Sequence, residues 1–255
     1  MQVDVLRKTE KPERLVCQAA RGDYFEGYVG DTDYWKLMSG VDYSDNDMER
    51  AKEMKSADAT PDGGSFWETE AATLSFIEKQ LSRGHYGPWE HPQITLTVKG
   101  VSRVTMAQIT RHRLMSFDIQ SMRYADFSNQ EIVTPRSLRE ETLNRETGVS
   151  DVDNREGHER AYGRHIQEAV TRYEQMVADG VPKEDARFIL PLGTTVNMTF
   201  SGNARTFMHL LDMRKKANAQ WEIRELSEKI IEELKEWMLY SYSYYEESGP
   251  HKLAP

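Results

Sequence analysis

Arg111-His112-Arg113-Leu114-Met115-Ser116-Phe117-Asp118-Ile119-Gln120-Ser121-Met122-Arg123-Tyr124 brings three arginines, a histidine and two serines into fourteen residues. Guanidinium groups stay charged and present planar forks of donors that match phosphate oxygens, so clustering them costs a repulsion that a bound phosphate offsets. The bland alternative is a solvated basic strip. The stretch follows an apolar run with helical spacing (Val101, Val104, Met106, Ile109) and carries Leu114, Met115, Phe117 and Ile119 among its polar groups. It is therefore expected to be partly buried, with arginines that need partners.

A chain of 255 residues can bury a sizeable core, and its length favours one domain spanning 1–255. The net charge of −9 argues against a nucleic-acid polymer, which is held by extended basic surfaces. A mononucleotide needs only a local positive pocket. Cys17 is the single cysteine, so no internal disulfide forms. No apolar run approaches the roughly 20 residues of a membrane span, and the N-terminus lacks an uninterrupted apolar segment, so a cytoplasmic location without membrane attachment is expected.

The periodicities predict an α/β chain of the α+β type, a mixed sheet flanked by helices. Val3, Val5 and Leu6 read as an edge strand and Leu15 to Ala20 as the start of a helix. Residues 40–65, rich in Asp, Gly and Pro, read as a polar surface excursion enclosing a short helix near Met48 to Met54. Trp67, Ala71, Leu74, Ile77 and Leu81 have helical spacing, with Gly84 as the C-terminal cap. Ile94, Leu96 and Val98, and later Val196, Met198 and Phe200, alternate with polar residues as half-buried strands. Tyr162 to Val177, Pro182 to Leu190 and Ala204 to Met213 read as helices. A long last helix carries the stripe Trp221, Leu226, Ile230, Leu234 and Trp237, with Glu222, Glu225, Glu228, Glu232 and Glu233 on its other face, a pattern that reads as packing.

Two further clusters carry chemistry. In Gly84-His85-Tyr86-Gly87-Pro88-Trp89-Glu90-His91, two histidines flank a carboxylate. The spacing matches no metal-ligand pattern, and the glycine and proline suit a turn that lets a ligand approach the backbone. The other comprises Arg187, Asn203 with Arg205, and Arg214, each beside apolar residues and each open to a structural reading as a salt-bridged arginine.

The spacing of Arg111-His112-Arg113, seven residues and Ser121, followed by Arg123-Tyr124, resembles the signature of the flavin-dependent thymidylate synthases. Gly84-His85 with Pro88 and Glu90-His91, Ser102-Arg103 with Gln108, Ala186-Arg187-Phe-Ile-Leu-Pro191, Asn203-Ala-Arg205, and Arg214 with Ala219-Gln220-Trp-Glu-Ile223 resemble its other blocks, and Ala19-Ala20-Arg21 is a fainter echo. The resemblance implies a homotetramer with active sites between subunits, converting dUMP to dTMP with 5,10-methylenetetrahydrofolate as carbon donor, FAD as hydride carrier and NADPH as reductant. It assigns His85, Gly87, Glu90, Arg111, His112, Arg113, Asn203, Arg205 and His209 to FAD. It assigns Gln108, Arg111, Gln120, Ser121, Arg123, Arg187 and Arg214 to dUMP, with the phosphate on Ser121, Arg123 and Arg187. Arg214 is the expected catalytic residue, favouring negative charge on the uracil ring. No metal is implied.

Cys17 sits in an apolar setting that suits an inert thiol, which disfavours a covalent cysteine route. Ser121 lacks a histidine and carboxylate partner set, so its hydroxyl reads as a phosphate ligand rather than a nucleophile. The chain departs from the family pattern at Asp23, Asp118, Ile119, His209 and Asn218. Two rival readings are a metal-dependent nucleotide hydrolase using His85, His91 and His112, and a non-catalytic nucleotide-binding protein.

Overall fold

Two apolar alternations build the centre of the sheet. In β2 (Gln93–Ser102), Ile94, Leu96 and Val98 are buried, and in β4 (Thr195–Asn203) so are Val196, Met198 and Phe200. The opposite face carries polar pairs: the Thr199 hydroxyl donates to Thr97 Oγ1 at 3.3 Å. With β1 (Gln2–Lys8) and β3 (Ser116–Ile119), the order is β1-β2-β4-β3. The α/β class stands as expected, with the sheet antiparallel rather than mixed. The register requires it: Arg103 N–H donates to the Thr194 carbonyl where β2 ends and β4 begins, and Ala204 N–H to that of Pro92 where β4 ends and β2 begins.

The computed structural model describes residues 1–55, 66–140 and 152–248. Its helices are α1 (Pro12–Gly22), α2 (Tyr34–Met38), α3 (Asp45–Met54), α4 (Phe66–Ser82), α5 (Arg103–Ile109), α6 (Arg136–Arg139), α7 (Arg155–Ala178), α8 (Lys183–Ala186), α9 (Ala204–Arg214), α10 (Trp221–Trp237) and α11 (Leu239–Ser248). The described residues group into two compact units. The first unit comprises Met1–Val3, Thr97–Phe200 and Gln220–Ile223; the second comprises the described parts of Asp4–Leu96, Ser201–Ala219 and Arg224–Pro255.

In the first unit, Val98, Val101, Ile109, Met122, Phe127 and Phe200 form the core, and the rings of Phe117 and Phe200 lie 5.9 Å apart. Strand β3 falls inside the arginine stretch, where the density of charge obscures a four-residue alternation. The long α7 buries Tyr173 alone.

In the second unit, Val16, Cys17, Leu74, Ile77, Phe207, Leu211, Ile230 and Leu234 are fully enclosed. Gly84 adopts φ +78° and ends α4 as expected: His85 N–H donates to the Gln80 carbonyl and Gly84 N–H to that of Leu81. Within the polar excursion, α3 starts on a capping box between Ser44 and Asp47, and Arg50 binds Glu78 of α4 through two hydrogen bonds of 3.0 and 2.7 Å. Residues 56–65 of that excursion lie outside the described residues.

The long helix is not the last. Helix α11 follows it, hidden from periodicity by its alternating Tyr and Ser, and it is held through hydroxyls: Tyr240 to Glu70, Tyr242 to the Ala204 carbonyl, and Tyr245 to Asp212, each at 2.9–3.0 Å. Trp89, fully buried, donates its indole N–H to Ser241 Oγ at 3.0 Å. The polar face of α10 also differs from expectation. Glu225, Glu228 and Glu232 are exposed, whereas Glu222 is 2% exposed.

Glu13 of α1 accepts the Ser241 N–H at 2.8 Å, in the first turn of α11. The residue as a whole is half-buried, but its carboxyl is enclosed, and this burial pushes its pKa from 4.5 to about 7 against the opposing pull of the Ser241 N–H and Lys55. A carboxyl raised in the folded state stabilises the fold below its unfolded pKa, and that contribution is lost as pH rises through the folded value. Stability in urea should therefore fall from about pH 5 to pH 8, with about 2 kcal/mol of the loss due to Glu13, and Glu13→Gln should flatten that part of the curve. An unchanged slope in the variant would show that Glu13 does not titrate there.

Candidate functional site

Ser102 ends β2 and caps α5, its Oγ accepting the Thr105 N–H at 3.2 Å. From that cap, α5 carries Arg103 at its first position and Gln108 in its last turn. The chain then turns tightly: Arg111 N–H donates to the Gln108 carbonyl, His112 to Ile109 and Met115 to His112. His112 is 8% exposed, whereas Arg111 and Arg113 are exposed. This corrects the expectation of partly buried arginines at these two positions. Alternation across the turn directs the histidine inward and both guanidiniums outward.

After β3, Gln120 N–H donates to the Asn197 carbonyl at 2.9 Å, and its side-chain oxygen accepts the Asn197 N–H at 3.1 Å. The carboxamide thus extends the pairing of β3 with β4. Ser121 begins a turn in which its Oγ accepts the Arg123 N–H at 3.3 Å and its carbonyl accepts from Tyr124 and Ala125.

Three guanidiniums gather here in the first unit. Glu184 holds two of them: its side chain accepts from Arg123 Nε at 2.8 Å and its carbonyl from Arg187 Nε at 2.9 Å. The third, Arg103, lies 3.1 Å from Met122 Sδ, and no carboxylate pairs with it among the described residues. Burial, and then the charge of Arg187, hold the Arg103 guanidinium below its usual pKa. Two cations facing each other without a balancing carboxylate are costly, and an oxyanion placed between them removes that cost.

The residues assigned to the second unit form another set. The turn Gly87–Glu90 is anchored by buried Trp89 and presents Glu90, which pairs with Arg205. The Arg205 guanidinium also lies 5.9 Å from the centre of the Tyr86 ring. Asn203 caps α9, its Oδ1 accepting from the N–H and the hydroxyl of Thr206, both at 2.8 Å. Arg205 and His209, four residues apart, share a half-exposed helical face, and Arg214 ends the helix half-buried. His85 is exposed. Its neighbour His91 is exposed too, and no group of three or more His, Cys, Asp or Glu side chains is arranged to hold a metal among the described residues.

Cys17 is fully buried, and burial pushes its thiol up to about 12. A thiolate there is inaccessible at neutral pH, so the single cysteine cannot serve as a nucleophile. Arg103 and Glu184 were not among the expected site residues. Arg103 stood in a quoted motif without a role, and nothing in the spacing of Glu184 reveals that it bridges two arginines.

A family model described as Thymidylate synthase complementing protein matches residues 4–238. The flavin-dependent thymidylate synthases of Halobacterium salinarum and Haloarcula marismortui are 38% and 39% identical to this chain over 270 aligned positions that cover the whole of both partners. Among solved structures, a UMP/dUMP methylase, PolB from Streptomyces cacaoi bound with 5-Br dUMP, superposes with a TM-score of 0.72 over 98% of this chain and 97% of the other. Its 21% identity speaks for the fold alone. With a family model spanning both units and relatives alike from end to end, the chain belongs to the family of the flavin-dependent thymidylate synthases.

Proposed function

We propose that this chain methylates dUMP reductively to dTMP, with 5,10-methylenetetrahydrofolate as carbon donor, FAD as hydride carrier and NADPH as reductant, working as one functional domain in a cytoplasmic homotetramer with active sites between subunits. The observation that carries this reading is the trio Arg103, Arg123 and Arg187, in which Glu184 balances Arg123 while no carboxylate among the described residues pairs with Arg103, leaving surplus positive charge that suits a phosphate monoester. Ser121 lies two residues from Arg123 in the same turn, and its hydroxyl completes the anion site. Gln108 and Arg111 extend it toward the base. Gln120 contributes through the strand it holds.

The second unit's half-exposed Arg205, fixed by Glu90 and Tyr86, offers fixed positive charge to a dinucleotide diphosphate, with His209 one turn along. Asn203, His85 and the backbone at Gly87 are the further groups of this unit that the family resemblance assigns to FAD. In the first unit, the exposed guanidiniums of Arg111 and Arg113, on either side of the buried His112, suit phosphate and ring-edge acceptors. FAD fits this donor set and, when bound, supplies the hydride that no side chain can provide. Arg214 serves the substrate instead. A guanidinium beside the uracil ring stabilises negative charge at N3, which enriches the ring carbon that must form the new bond. Cys17, buried and neutral, takes no part.

Purified protein should take up FAD, turn yellow, and oxidise NADPH faster when dUMP is added. A colourless protein that ignores FAD, and loses nucleotide hydrolysis on chelation, would instead be the hydrolase. Arg187→Ala should raise the KM for dUMP by at least about tenfold while retaining flavin, since a charge-assisted contact is lost. Arg214→Ala should retain flavin and lose dTMP formation. Cys17→Ala should keep kcat within about twofold of the parent, because a buried thiol with no ionised form contributes only packing; a folded Cys17→Ala protein without turnover contradicts the flavin-only route.

A further inference from the structure

We propose that Glu222, at the start of α10, is a positioning residue that sets the Arg103 guanidinium for phosphate. The inference rests on reading the arginine trio as a phosphate site. Glu222 is 2% exposed, and both its oxygens go to one residue: Oε1 accepts the Ser102 N–H at 2.7 Å and Oε2 the Ser102 hydroxyl at 2.5 Å. No lysine, arginine or histidine pairs with it among the described residues. A buried carboxylate without a cation is an expensive way to satisfy a serine that already caps its helix with one oxygen.

The second consequence of that grip is geometric. Taking both donors of Ser102 fixes its rotamer and its backbone together, while the next N–H, that of Arg103, is fixed by the Thr194 carbonyl at 3.1 Å. Glu222 is itself anchored, because the Gln220 side-chain oxygen accepts the Glu222 and Ile223 N–H groups at 3.0 and 3.2 Å. The first residue of α5 is thus clamped on both sides, and only side-chain torsions remain to Arg103. Those torsions are in turn limited by Met122 on one side and the repulsion of Arg187 on another. Left unclamped, two like charges would drift apart; the carboxylate, by fixing Ser102, holds Arg103 near Arg187 against their repulsion.

The test compares dUMP with deoxyuridine, which lacks the phosphate, as ligands of the FAD-loaded full chain. Glu222→Gln replaces an acceptor with a donor facing the Ser102 hydroxyl. It should weaken dUMP about tenfold, leave deoxyuridine within about twofold, and leave kcat at saturating dUMP within about threefold. Combined with Arg103→Met, it should add little to the loss that Arg103→Met causes alone, since the two changes act on one contact. A merely structural role would lower the melting temperature and weaken both ligands alike, or neither, and would overturn the proposal. If Glu222→Gln does not fold, Ser102→Ala, which removes one of the two bonds, must show the same selective loss. Parent protein that binds dUMP no better than deoxyuridine would instead overturn the phosphate reading itself.

Discussion

Each chemically loaded helix starts without a loop from the end of a central strand, and that constraint governs everything downstream. Ser102 closes β2 and caps α5; Asn203 closes β4 and caps α9. In both, one side-chain oxygen accepts the backbone N–H three residues on, the arrangement that best starts a helix. Because no loop intervenes, the strand register sets the helix phase. A slip of one residue would exchange the faces of the strand and turn every helical side chain by about 100°. Arg103, Gln108, Arg205 and His209 are therefore placed by counting from a cap, and the apolar alternation of Ile94-Leu96-Val98 and Val196-Met198-Phe200 makes that count unambiguous.

Charge is organised around the same points. The chain carries a net −9, yet Arg103 and Arg187 face each other with sulfur and backbone carbonyl as their neutral company. Glu184 neutralises Arg123 through its carboxylate but offers Arg187 only its carbonyl, so the trio retains surplus positive charge. A net negative chain with a small cationic focus has the local positive charge that a mononucleotide needs. The second unit follows a different rule. Arg205 is balanced by Glu90 and lies over the Tyr86 ring, so its guanidinium is fixed and already compensated.

The parts of this arrangement legible from sequence are those encoded locally. Helix α4 with its glycine cap, the two central strands, α9 and the apolar stripe of α10 all repeat a spacing over three or more turns or pleats. What escaped was set by pairing across the chain. Four residues of β3 carry too few alternations to stand out from the charges around them. Helix α11 has its tyrosines buried through hydroxyl partners rather than along an apolar stripe, so its pattern imitates a strand. Glu222 looked like one more acid on a solvated face, because a helical wheel records where a residue points and not what waits there. The arginine triplet misled in the other direction: surrounding apolar residues suggested burial for all three side chains, whereas the turn buries His112 and frees both arginines. The pairings of Arg103, Glu184 and Glu222 had no local spacing to betray them.

Placement of the single cysteine bears on how the carbon centre can be activated at all. A route through a cysteine adduct needs a thiolate near positive charge, and Cys17 has the reverse: complete burial, with the nearby acids Glu13 and Glu70 opposing ionisation further. Raising a thiol to about 12 leaves on the order of one molecule in 10⁵ ionised at neutral pH, a deficit that intrinsic nucleophilicity does not recover. On the function proposed above, the pyrimidine is enriched by charge placed against the ring rather than by a bond made to it. Arginine suits that task because it remains cationic through every stage, and Arg214 ends α9, where the helix C-terminus favours a positive side chain. The same helix is fixed at its other end by the Asn203 cap and by the Tyr242 hydroxyl on the Ala204 carbonyl. A permanent charge at the end of a rigid helix is preorganised, and preorganisation is what makes electrostatic stabilisation effective without reorganisation during the reaction.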